Sequence, residues 1–325
     1  MTLESMLEMR LFVEYVTLNL KDYLPLELKR AECQATVQKK NNGVNRTGIC
    51  LRLPGQKFSP VIYMEPYYEK VRAGETMDTV IGEIAELCVK SMETKTLLDA
   101  VDFCSYESIK KYLSVKLIHT EANREELSRA PHRQIEDLSV VYQIELPYSN
   151  ENGIGSVKVT NAMLEIWGVS SDEVHDQAMG NAQLNSPPVL SGMYDILSEL
   201  TGTPSEPVNL LKEGGSTLEE EMYVLTNDKR CNGAAVLAYP GVAEQISELI
   251  PQGYYVLPSS VHEVLIIPKN RYLSAKELGE MVRDVNKNEV TVEERLSDRV
   301  YEFDRKEGRI RQVPESVEKR RSMER

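Results

Sequence analysis

Cysteine is scarce in this 325-residue chain, and its spacing suits no zinc site. The five cysteines, Cys33, Cys50, Cys88, Cys104 and Cys231, are odd in number and scattered. No C-x-x-C pair and no Cys/His spacing is present, which excludes structural zinc. Reduced, mostly buried thiols in a cytoplasm are the expectation. Long hydrophobic runs are missing too: no window approaches the roughly 18–20 uninterrupted apolar residues that span a bilayer. The opening stretch MTLESMLEMRLFVEYVTLNL is acidic where a signal peptide is basic. A cytoplasmic protein with no membrane contact is therefore expected. Positive charge is in short supply, 38 Lys and Arg against 51 Asp and Glu, for a net charge of -13. That balance argues against direct binding to the phosphate backbone of nucleic acid, which needs a basic face. The charge is uneven, since residues 305–325 are net +4 and the other 304 carry -17. An acidic body with a basic tail fits a solubility role. Neither G-x-G-x-x-G nor G-x-x-x-x-G-K-[ST] occurs, and there is no G-x-S-x-G elbow. No cofactor and no metal is expected.

What is present is ordinary globular material, 41% apolar and 27% charged, in a chain long enough for two compact domains. Residues 3–24 carry apolar side chains at helical spacing, and Pro25 stops them. A strand follows at 33–38, and the Asn41-Asn42-Gly43 turn favours positive φ. Strands at 47–53 and 61–64, then helices from Pro66 and over 77–92, complete an α+β unit. Residues 94–117 read as helical with a break near Cys104. Residues 139–146 read as a strand that 156–159 pairs with. Thr160 caps a short helix ending at Trp167-Gly168, and Ser170 with Glu173 forms a capping box. A helix is expected over 189–200. The segment 202–218 has linker composition, with three glycines and two prolines nearby. Beyond it come strands at 222–226 and 233–238, a helix at 241–250, strands at 254–257 and 262–267, and a helix at 274–285.

The fold class is thus α+β: antiparallel sheets with helices packed on them, the C-terminal domain in ββαββα order. The expected organisation is 1–95 as an N-terminal α+β unit, 96–201 as a mixed middle region and 202–218 as a linker. A C-terminal α+β domain follows over 219–290, and 291–325 forms a charged peripheral tail.

Ser259, Ser260, His262 and Glu263 form the densest Ser/His/Glu cluster and invite a nucleophile, base and orienter. On a continuous strand Ser260 and His262 share a face while Glu263 points to the other, so Glu263 cannot orient this imidazole. The alternatives are a turn that opens a core strand and a binding site that Asn181 completes from the middle region. His175, Asp176 and Asp172 lie within one helical turn and read as a solvated surface group rather than a metal face. Tyrosine outnumbers phenylalanine, 16 to 4, and the pairs Tyr67-Tyr68 and Tyr254-Tyr255 suit either an interface or a half-exposed edge.

Four blocks carry a family resemblance: NNGVNRTGICLRLPGQKFSPVIYMEPYYEKVRAGETMDTVIGEIAE, EIWGVSSDEVHDQAMGNA, YVLTNDKRCNGAAVLAYPGVAEQISELIPQGYYVLPSSVHEVLIIP and LSDRVYEFDRKEGRIRQV. Together they resemble a domain-of-unknown-function family of gut Clostridia, LPSSVHEVLIIP being the most specific part. Residues 166–182 and 241–267 are also distantly similar to the YtpQ-like proteins of Bacillus. The resemblance implies a defined fold and a bacterial cytoplasmic setting, with some members among mobile-element genes, and it transfers no catalytic residue. The function expected is non-catalytic protein binding. An enzyme using the turn at Ser259–Glu263, and an acidic decoy of a DNA-binding protein, are the alternatives.

Overall fold

The computed structural model describes residues 3–54, 59, 61–93, 101–150, 153–201, 208–213, 221–258, 260–269 and 273–314. The chain divides into two units, Met1–Val101 and Asp102–Arg325. Both are α+β, and the three sheets are antiparallel.

In the first unit, α1 (Leu3–Tyr23) ends just before Pro25, whose ring cannot continue a helix. Strands β1 (Glu32–Lys39) and β2 (Asn45–Arg52) pair from Glu32↔Arg52 to Lys39↔Asn45. Asn42 at φ 56 and Gly43 at φ 72 make the turn between them, as the Asn-Gly pair predicts. β3 (Val61–Tyr63) adds to β2. Then come α2 (Glu65–Arg72), with Pro66 in its first turn, and α3 (Met77–Glu93). Val16, Leu20, Ile49, Ile81 and Ile84 sit at 0–1% exposure in one core between helices and sheet. Each such side chain contributes about 1.5–3 kcal/mol relative to exposure.

The second unit holds two sheets. In one, the long β6 (Leu138–Asn150) pairs along one edge with β4 (Leu113–His119), and along the other with β5 (His132–Ile135) and then β7 (Gly153–Lys158). Over 101–117 the expected helix is not present. A single turn at Tyr106–Ile109 and a 3-10 turn lead into β4, while 94–100 lie outside the described residues. Leu113, Val115 and Leu117 alternate with Ser114 and Lys116, and the strand buries the first set. Helix α4 (Asn161–Trp167) is capped by Thr160 and closed by Gly168 at φ 66. Helix α5 (Ser171–Asn185) opens on the Ser170/Glu173 capping box. Both signals act as the residues predict.

The other sheet has six strands in the order β13-β12-β10-β11-β9-β8. They are β8 (Pro188–Gly192), β9 (Tyr223–Asn227), β10 (Tyr254–Leu257), β11 (Val264–Pro268), β12 (Tyr301–Asp304) and β13 (Arg309–Gln312). Helices α6 (Met193–Leu200), α7 (Val242–Leu249) and α8 (Ala275–Asn288) accompany it. The helix expected over 189–200 is a strand followed by a helix, because Leu190 and Ser191 are drawn into register with β9. The strand expected at 233–238 is a buried 3-10 helix whose small residues lie close to β9. β8 and β9, which flank 202–218, are neighbours in one sheet. The stretch after 291 is more than a charged extension: β12 and β13 close the sheet, and Tyr301 is fully buried. Their charges pair across the strands, with Arg311 Nη2 2.8 Å from Glu302 Oε1.

Candidate functional site

The loop joining β10 to β11 carries the predicted cluster. Ser259 lies outside the described residues. Ser260 bridges to Arg295, Val261 donates its N–H to the Glu294 carbonyl at 2.8 Å, and Ser297 donates to the Pro258 carbonyl at 3.0 Å. The loop is thereby stitched to the segment before β12. Ser260 Oγ accepts the backbone N–H of His262 at 2.9 Å, two residues on, and is thus a turn-forming hydroxyl. The imidazole faces elsewhere. Its Nδ1 accepts the Asn232 N–H at 3.3 Å, and its Nε2 lies 3.6 Å from Glu294 Oε1. That pattern places the proton of the neutral ring on Nε2, aimed at the carboxylate. Glu263 is exposed, and the strand expected over 262–267 begins only at Val264 because the residues before it are held in the turn. The structure therefore brings His262 together with Glu294, and the Ser260 hydroxyl is spent on the backbone.

The surroundings explain the local geometry. The His262 carbonyl accepts Thr226 Oγ1 at 2.8 Å. Asn227 is 5% exposed and clamps the next turn, donating from Nδ2 to the Cys231 carbonyl and accepting the Cys231 N–H. This bends the chain so that Arg230 and Asn232 adopt φ 50 and 52, left-handed values that Asn tolerates better than most residues. Gly233 follows where nothing larger fits: a Cβ there would lie 2.1 Å from Thr226 Oγ1 and 2.4 Å from the His262 carbonyl.

Asn181 stands apart from this loop. It projects from α5 and donates to the carbonyls of Lys110 and Leu113 at 2.7 and 2.9 Å, while its Oδ1 accepts from Gln177. It thus ties α5 to the start of β4. It also borders a cleft of about 340 Å³ lined by Lys111, Tyr112, Glu145, Asn185 and Lys229, among others, and Ser260 and His262 are not part of that lining. Lys229 Nζ lies 3.5 Å from Glu145 there. His175, read above as a surface group, is half-buried and its Nδ1 pairs with the Tyr142 hydroxyl at 2.9 Å. Burial followed by the nearby Arg133 lowers its pKa.

A second polar cluster carries no local signal in the sequence. Asp137, in the two-residue turn between β5 and β6, accepts the Tyr301 hydroxyl and, at 3.1 Å, the Ser297 hydroxyl. His119 Nε2 stands 3.7 Å away, and its Nδ1 accepts the Ala122 N–H. Burial alone would raise the Asp137 pKa, but hydrogen bonds from His119, Tyr301, Gln312 and Ser297 outweigh it and hold the pKa at about 2. Burial, together with the Asp137 charge, pushes the Tyr301 phenol upward. Among the described residues no group of three His, Cys, Asp or Glu side chains could hold a metal ion, and no helix is long and apolar enough to cross a membrane.

These features define an α+β protein whose polar clusters are tied into its backbone. The chain belongs to the family described as "Family of unknown function (DUF5688)", whose model matches residues 9–305. No curated protein and no solved structure matches it.

Proposed function

We propose that this is a non-catalytic binding module whose partner is another protein. One observation carries the reading. Helix α1 is apolar on two opposite faces: Met9, Phe12, Val13, Val16 and Leu20 turn into the core, while Leu11, Tyr15 and Leu18 are 64%, 48% and 74% exposed. These three sit at i, i+4 and i+7, in one stripe along the helix. Exposed apolar residues scattered singly need no explanation, but an ordered stripe with a tyrosine in it is the composition of an interface. The Ser260–His262 loop supports the same reading from the other side, because its hydroxyl and one ring nitrogen accept backbone N–H groups.

The test is affinity capture from the host cytoplasm, comparing wild type, Leu11→Ser/Leu18→Ser and Ser260→Ala/His262→Ala, with folding checked by circular dichroism. A protein recovered by wild type and by the loop variant, but lost from the stripe variant, is the expected result. Recovery lost only with the loop variant would overturn the reading and favour chemistry at that loop. The cleft beside Asn181 favours a second reading, a small polar ligand held between Lys111, Lys229 and Glu145.

A further inference from the structure

The first sheet ends on an edge with unusually little protection. β1 runs eight residues, Glu32–Lys39, and none of them is buried. Its sequence, ECQATVQK, contains no proline, and its register with β2 is continuous, with no bulge. Edge strands are commonly blunted by such devices, and here only the charges at the two ends serve. Among the described residues no strand pairs with the outer edge of β1.

The direction of each backbone group follows from the ladder. Lys40 donates its N–H to the Val44 carbonyl at 2.7 Å, which continues the β1–β2 register by one residue. Hydrogen-bonded pairs alternate in an antiparallel ladder. The even-numbered residues of β1 therefore turn their N–H and C=O toward β2. Cys33, Ala35, Val37 and Lys39 turn theirs outward. The same parity holds on β2, where Thr47 gives its carbonyl to Met64 on the β3 side.

We infer that this edge pairs with the same edge of a second copy of the chain, antiparallel about Thr36, making one six-stranded sheet across two molecules. A two-fold axis normal to the sheet keeps each side chain on its own face, so the residue numbers of facing partners must add to an even number. Centring on Thr36 sets Glu32 opposite Lys40 of the other copy, twice by symmetry. On that face Gln34 meets Gln38 and Thr36 meets Thr36. On the opposite face Ala35 meets Val37, covering a side chain that is 63% exposed. Centring on Ala35 instead leaves Lys39 opposite Ala31 and pairs no charge. Opposite charges, Thr–Thr pairs and apolar pairs are the cross-strand combinations that stabilise sheets. The outward groups of Ala35 and Val37 alone would form about four backbone hydrogen bonds with the other copy.

The experiment is sedimentation velocity on the full chain across a range of micromolar concentrations. Wild type is expected to approach twice its 36.9 kDa monomer mass as concentration rises. Val37→Pro is expected to remain monomeric, because the N–H it removes points away from β2 and edge positions of that kind tolerate proline. Should that variant fail to fold, Val37→Lys, which puts charge at the centre of the joint, is expected to give the same loss. Thr36→Cys tests the register. The non-hydrogen-bonded pair at the axis brings Cα atoms to about 4.5 Å, within disulfide reach, so oxidation is expected to yield a covalent dimer that wild type does not form. A wild type that stays monomeric throughout, or a dimer unaffected by both Val37 variants, overturns the proposal. A dimer whose Thr36→Cys variant does not cross-link overturns the register.

Discussion

Replacing Asp137 with Asn is the most informative test of how the second unit is held together. Asp137 sits at the tip of the β5–β6 turn and receives the hydroxyls of Tyr301 and Ser297, which belong to β12 and its approach. Asn keeps the size but removes the charge that the hydroxyls point at. The gap between the usual 3.8 and the folded value of about 2 corresponds to about 2 kcal/mol of stability at neutral pH. The sign follows from the depressed pKa. The folded state favours the ionised carboxylate, so the stabilisation is complete well above pH 4 and is lost as pH falls toward 2. Roughly half is gone by pH 3. Urea unfolding of wild type and Asp137→Asn at pH 7 and pH 3 reads this directly: the two should differ by about 2 kcal/mol at pH 7 and by about half that at pH 3. Equal stability at pH 7, or a difference unchanged at pH 3, would refute the argument that the carboxylate charge fastens this turn to β12.

Three other consequences are open to measurement. Gly233→Ala forces a methyl against Thr226 and the His262 carbonyl; denaturant unfolding should show a loss of about 2–3 kcal/mol, the cost of overpacking. Asn181→Ala leaves the Lys110 and Leu113 carbonyls without its amide and should cost about 1–3 kcal/mol in the same assay, whereas a stability equal to wild type would mean that water replaces the amide. Burial raises the thiol of Cys33 to about 11 and that of Cys88 to about 12. Native protein at pH 8 should therefore label with a thiol reagent at the exposed Cys104 first, at the half-exposed Cys33 more slowly, and at the buried Cys88 only on unfolding.

Much of the fold was legible wherever a local rule acted alone. Pro25 ends α1, Asn42-Gly43 turns the first hairpin, and Ser170 with Glu173 opens α5. Legibility failed where a pattern served two structures. Leu113 and Leu117 stand four apart, as in a helix, but they also alternate with Val115 along a strand, and the β-branched Val115 and Ile118 favour the sheet. β5, HRQI, is too polar to show a period at all. The charges of β12 and β13 looked like a solvated tail, yet Glu302 and Arg311 are facing partners in the ladder, so their opposite signs mark pairing. At the candidate site the strand expected from His262 onward begins only at Val264, so strand alternation does not govern Ser260–Glu263. The carboxylate that does approach, Glu294, comes from 32 residues along the chain, and no local spacing announces it. Asp137 is further removed still: its partner Tyr301 lies 164 residues away, and only the folded chain joins them.

The central claim, that the outer stripe of α1 meets another protein, is tested most directly by photo-crosslinking in the host cell. A photoreactive phenylalanine analogue in place of Tyr15 is compared with the same analogue in place of Glu280, an exposed position on α8 in the second unit. The account predicts one dominant adduct with a different protein from position 15, abolished by Leu11→Ser/Leu18→Ser, and no such adduct from position 280. Equal labelling from both positions, or none from position 15 in cells where the protein is abundant and folded, would contradict it.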